Sequence, residues 1–182
     1  LLSNAEALTA RFHSMDQRLE QIRDGINTQI TSSVSEINSL AKQIAELNQH
    51  IMAAEGAAGG QPANDMMDQR DELAKQLNQL INANVVKQSD GSFNVFVGNG
   101  LALVVGSESM ALSAMISPDN PEELTIGFVS GNNTIQLPEN QIQGGSLSGI
   151  LTFRKETLDT AQNSLGRIAV TLAQTFNDIH QL

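Results

Sequence analysis

Apolar residues recur along the first fifty positions with the alternating four-and-three spacing of a coiled coil, and this stripe limits what the chain can fold into. Leu8, Phe12, Met15, Leu19, Ile22 and Ile26 keep one seam of an α-helix facing a partner. The seam resumes as Ile30, Ile37, Leu40, Ile44, Leu47 and Ile51, with Ser33 in one seam position. Ile22, Ile26 and Ile30 step by four twice, a stutter that locally relaxes left-handed supercoiling. Ser3 or Asn4 can cap such a helix, which then runs to about Glu55, on the order of 75 Å. Gly25, beside the stutter, predicts a slight bend or a close approach.

The segment Gly56-Ala57-Ala58-Gly59-Gly60-Gln61-Pro62 cannot continue a helix and suits a reversal. Asn64 or Asp65 caps a second helix to about Asn84, with Asp65, Asp68 and Asp71 near its positive end and Met66, Leu73, Leu77 and Leu80 along one face. From Val85 the period changes to two. Strands are expected at 85–88, 93–97, 101–105, 111–117, 124–130 and 134–137, with Asp90-Gly91 and Gly98-Asn99-Gly100 as turns, forming a small antiparallel sheet or partial barrel. Gly144 and Gly145 allow a sharp turn into a third helix from Ser146, whose stripe is Leu147, Leu151, Leu158, Ala161, Leu165, Ile168, Leu172, Phe176 and Ile179, with Arg154 on it. A second stutter occurs at Ile168, Leu172 and Phe176, and if Leu147 lies beside Ile51 in an antiparallel pair, Leu172 comes level with Ile26 and the two stutters meet. The fold class is therefore α+β, mainly α: a long antiparallel coiled-coil-like three-helix rod with a small inserted antiparallel β subdomain. Residues 1–84 hold the long helix and its antiparallel second helix, 85–145 the β subdomain, and 146–182 a third helix packing back on the first.

Composition excludes several functions. A net charge of -10, with Lys and Arg scattered singly, argues against nucleic acid or another acidic partner. There is no Cys for a disulfide or thiolate ligand, and no apolar run of the roughly 20 residues that span a bilayer. The start, Leu1-Leu2-Ser3, has no signal-peptide pattern, and both ends lie within helical periodicity, which reads as an interior fragment. His13, His50 and His180 are far apart and read as exposed helix histidines rather than metal ligands. Asp65, Asp68, Asp71 and Glu72 lack the alternating ligands and central Gly of a calcium loop. Gly144-Gly145-Ser146-Leu147-Ser148-Gly149 lacks the Lys of a phosphate loop, and no Ser, His and Asp form a nucleophile elbow. Met66, Met67, Met110 and Met115 read as core fillers, Lys42 and Glu46 as a solvated face, and Arg70 and Arg154 as structural pins. No catalytic, cofactor-binding or metal residue is expected, and no cofactor.

Six stretches, in order and in matching structural settings, resemble the flagellar hook-associated protein 1 family, the FlgK family of the bacterial hook-filament junction. They are Ile37 to Ile51, Asn64 to Leu73, Asp90-Gly91-Ser92-Phe93-Asn94-Val95, Gly98-Asn99-Gly100 with Leu103-Val104, Gly144 to Leu151 with Phe153-Arg154, and Leu158 to Leu165 ending at Phe176-Asn177. The acidic Asp-Gln-Arg-Asp box and the Gly-Gly-Ser-Leu box are the specific parts. The resemblance implies a non-enzymatic structural subunit, exported through the flagellar type III apparatus and assembling laterally with like subunits between hook and filament. It implies the hook protein and the next junction protein as neighbours, an export chaperone for the full-length protein, and an extracellular place in the flagellum. The terminal segments and outer domain of the family are missing, so the fragment is expected to be monomeric. The rival readings are a flagellin-like filament or second junction subunit, and a coiled-coil adhesin stalk presenting a β subdomain.

Overall fold

The long stripe forms one uninterrupted helix, α1 (Leu2–Ala57), in a computed structural model that describes residues 2–57, 59 and 61–180. Expectations that touch Leu1, Leu182 and the Ala58 and Gly60 positions of the reversal lie outside the described residues. Ser3 and Asn4 fall inside α1 rather than capping it, because helical backbone already includes Leu2. Gly25 has open space where a Cβ would stand, so no close approach explains it. Two compact units contain the chain. One joins the segment up to Thr28 with the segment from Leu151, and the other is Gln29–Ile150.

In the Gln29–Ile150 unit, Ile30, Ile37, Ile44 and Ile51 of α1 are fully buried at heptad spacing, with Val34, Leu40, Ala41 and Ala45 filling between them. Leu47 is only half-buried; its expected seam position is taken by Asn48. The second helix, α2 (Asn64–Leu80), starts where the Ala63 carbonyl accepts from the Met66 and Met67 amides, with no side-chain cap. It buries Arg70, Ala74 and Leu77, one residue per turn, so of the expected face Leu77 is buried, Leu73 and Leu80 are half-buried and Met66 is exposed. It also stops four residues before Asn84, because Ile81 turns to extended backbone and its amide bonds the Leu77 carbonyl.

Seven strands follow: β1 (Ala83–Lys87), β2 (Phe93–Val97), β3 (Leu101–Val105), β4 (Glu108–Ser109), β5 (Ala111–Ile116), β6 (Leu124–Ser130) and β7 (Asn133–Gln136). They form two antiparallel sheets, β1-β2-β3-β4 and β5-β6-β7, rather than the single sheet or partial barrel expected. The two-residue strand β4 carries no sequence signal of its own. A bulge between β2 and β3 pairs Val95 with Val104 and Phe96 with Ala102, leaving Leu103 over. That extra residue lets the consecutive Leu103 and Val104 both enter the core.

Gly144 and Gly145 both hold left-handed backbone (φ 66° and 69°) at the entry to α3 (Gly145–Phe153). A Cβ on Gly145 would stand 2.4 Å from the Leu80 carbonyl, so this turn lies directly on the end of α2. Between α3 and α4 (Asp159–His180) the backbone forms a π-helical turn, Arg154–Leu158, where the sequence predicted one unbroken helix. Leu151, Arg154 and Leu158 remain buried through it.

Gly145→Ala is expected to destabilise the chain by more than about 3 kcal/mol, combining left-handed strain with the clash on Leu80. Gly100→Ala, at φ 91° but in open space, should cost only about 1–2 kcal/mol. Urea unfolding of the two variants measures the difference.

Candidate functional site

Asn48 is an amide placed on an apolar seam, and every hydrogen-bonding position it has is used. Its Nδ2 donates to the carbonyls of Phe93 (2.8 Å) and Gly106 (2.6 Å). Its Oδ1 accepts from the Phe93 amide (3.0 Å) and from Arg70 Nη1 (2.9 Å). Arg70 Nη1 also donates to the Gly91 carbonyl (2.9 Å), and the guanidinium carbon lies 3.6 Å from the Phe93 ring centroid. The Arg70 residue is 1% exposed. Burial lowers its pKa, opposed by the charges of Asp71 and Glu55, but a guanidinium stays protonated. One side chain from α1 and one from α2 thus hold the β1–β2 hairpin and the β3–β4 turn.

A second amide does similar work on the other sheet. Asn38 Nδ2 donates to the Leu112 carbonyl and Asn38 Oδ1 accepts the Leu112 amide, both at 2.8 Å. The side chain therefore pairs with the edge of β5 as a neighbouring strand would.

In the other unit, Arg23 Nη2 donates to Gln162 Oε1 and lies 3.9 Å from Asp159 Oδ1. This corrects the expected register. Leu172 is not level with Ile26; it lines a groove with Leu8 and Phe12, and the pairing differs by roughly four helical turns. Heptad seams look alike at every repeat, so aligning two stutters did not fix the register. Two open apolar grooves, of about 570 and 610 Å3, flank this helix pair. Met15 (57%), Ile168 (53%), Ile22, Leu172 and Phe176 stand exposed on the two helices, with Arg11 and Arg18 at the rim of one groove.

His13 and His50 are exposed on α1, and the His180 side chain lies outside the described residues. Asp65 sits in the first turn of α2, and among the described residues no three His, Cys, Asp or Glu converge. Met110, like Met66, is exposed, which corrects the core reading of both. Lys42 and Glu46 form an exposed pair at 3.8 Å. Arg70 reaches Asn48 and Gly91 rather than groups at the start of its own helix. Asn48 and Asn38 were missed by pattern reading, although Asn48 stands four residues after Ile44 and three before Ile51. No described helix is long and apolar enough to cross a membrane.

Residues 1–182 match the flagellar hook-associated protein FlgK helical domain. The chain belongs to this family. It is 39% identical to flagellar hook-associated protein 1 of Escherichia coli (strain K12), over all of the chain and 33% of that relative. It is 40% identical to the Salmonella typhimurium protein of the same name, over 99% of the chain and 33% of the relative. The chain thus spans about a third of the length of these relatives. The solved structure of the flagellar hook junction protein FlgK from Burkholderia pseudomallei is similar, with a TM-score of 0.88, 39% identity, and cover of 95% of this chain and 31% of that one. The mainly helical fold with antiparallel sheets is shared with the matched part of that structure. Three of the stretches that carry the family resemblance, around Asn48, Arg70 and Asp90 to Phe93, meet at the polar cluster.

Asn48→Ala leaves the Arg70 charge, one amide and two carbonyls without this partner, and is expected to cost about 3 kcal/mol or more. Arg70→Met removes the buried charge together with its desolvation and should cost roughly half as much. Chemical denaturation orders the two, and a larger loss for Arg70→Met would contradict this account.

Proposed function

We propose that the chain is a structural, non-enzymatic part of a subunit of the bacterial flagellar hook-filament junction, in which like subunits assemble laterally between hook and filament. Family membership supports the flagellar role, and the names of the relatives, hook-associated protein 1 and hook junction protein, point to the junction. The observation that carries the assembly reading is the apolar stripe that α1 and α4 leave exposed at Met15, Ile22, Ile168, Leu172 and Phe176. Such a surface fits packing contacts within a larger assembly. In this reading the parent protein is exported and works outside the cell. Its neighbours are like subunits, the hook protein and the next junction protein, and a chaperone accompanies export. No residue is given a catalytic, cofactor or metal role. The division of the chain into helical segments that precede and follow a β subdomain also belongs to this reading.

Deleting the parent gene in a flagellated bacterium should give cells that release flagellin monomer and build no filament; normal filaments would overturn the junction role. A parent carrying Met15→Glu and Leu172→Glu, both at exposed positions, should be exported at normal levels yet restore filaments poorly in that strain. Full restoration would remove the stripe from the assembly reading. For the isolated chain, sedimentation velocity should show a monomer, and a stable dimer would contradict that expectation.

A further inference from the structure

Three pairs of aspartate or asparagine followed by glycine occur in the chain: Asp24-Gly25, Asp90-Gly91 and Asn99-Gly100. All three can undergo one chemistry, in which the backbone nitrogen of the glycine attacks the side-chain carbonyl carbon before it and closes a five-membered succinimide. Glycine offers no side chain to hinder that approach. The fold leaves the three pairs in different states. Gly25 lies inside α1, where helical hydrogen bonding occupies its N–H. At Asp90 the carboxylate accepts from the Ser92 amide (2.9 Å) and hydroxyl (2.7 Å), and the Gly91 amide donates to the Gln88 carbonyl (3.1 Å). The Ser92 hydrogen bonds hold the Asp90 carboxyl below the usual carboxylate range, and an ionised carboxylate is a poor electrophile.

None of these protections operates at Asn99-Gly100. Both residues are exposed in the turn between β2 and β3, and neither makes a hydrogen bond to another described residue. The space around the Gly100 Cα is open. We propose that Asn99 is a site of spontaneous covalent modification, converting through a succinimide to aspartate and isoaspartate. The Gly100 nitrogen bonds to Asn99 Cγ as the Cγ–Nδ2 bond breaks. The proton lost from the Gly100 nitrogen leaves with Nδ2 as ammonia. Water then adds to either ring carbonyl carbon and the C–N bond there breaks, one water proton going to the nitrogen and the other being released as the new carboxylate forms. No electrons are exchanged with an outside reagent. The product adds one negative charge to the turn, and isoaspartate also adds a backbone atom. Gly98 cannot absorb that atom easily, since a Cβ there would already stand 2.7 Å from the Gln141 carbonyl oxygen. The added length falls on the β3 side.

Peptide mapping of the folded chain during incubation at mildly alkaline pH, with fragmentation that separates aspartate from isoaspartate, tests this. Asn99 should convert first, with release of ammonia, while Asp24 and Asp90 form isoaspartate far more slowly. In denaturant the ratio of the Asn99 rate to the Asp90 rate should fall roughly tenfold, as the hydrogen bonds around Asp90 are lost. Asn99→Gln should abolish the new acidic species in the folded chain. An Asn99 that stays intact in the folded chain while the denatured chain converts, or a rate ratio that unfolding does not change, would overturn the proposal.

Discussion

The saturated amide of Asn48 is the interaction on which the Gln29–Ile150 unit depends. A buried polar group raises the free energy of a core unless each donor and acceptor finds a partner, and here four partners come from α2, β2 and the turn after β3. The Arg70 charge is tolerable because Asn48, the Gly91 carbonyl and the Phe93 ring stand where water would otherwise be. The isoleucines of α1 supply burial, but greasy contacts alone allow many alignments. The amides select one.

The unit made from the first and last segments is built differently. One inter-helix polar contact there joins Arg23 to Asp159 and Gln162, next to the π-helical turn, and farther along the pair the apolar side chains of both helices remain partly in solvent. Burial there is therefore shallow. The two units show how one heptad pattern gives a closed core where sheets cover it and an open face where they do not.

Much of this was legible in the sequence. The expected limits of β2, β3 and β6 agree with the structure to the residue, because each is a β-branched or aromatic run bounded by glycine, asparagine or proline. The Gly-Gly turn was equally readable, since two successive left-handed residues admit little else. What failed was whatever depends on partners distant in the chain. The register of Arg23 against Asp159, the end of α2 at Leu80, the π-helical turn and the split into two sheets are settled by tertiary contacts that no local window contains. Asn48 was hidden for a related reason: polarity suggested a solvent face, and Leu47 beside it offered a plausible seam residue. Its position between Ile44 and Ile51 was the available clue.

Asn38 and Asn48 stand ten residues apart on one helix, about 15 Å along its axis. Each grips a different sheet through paired bonds to main chain or, in part, to another buried side chain. Force applied along the helix axis would load these bonds in shear, several at once, whereas force pulling a hairpin outward would open them one after another. The unit is thus mechanically anisotropic: stiff against sliding and weaker against peeling.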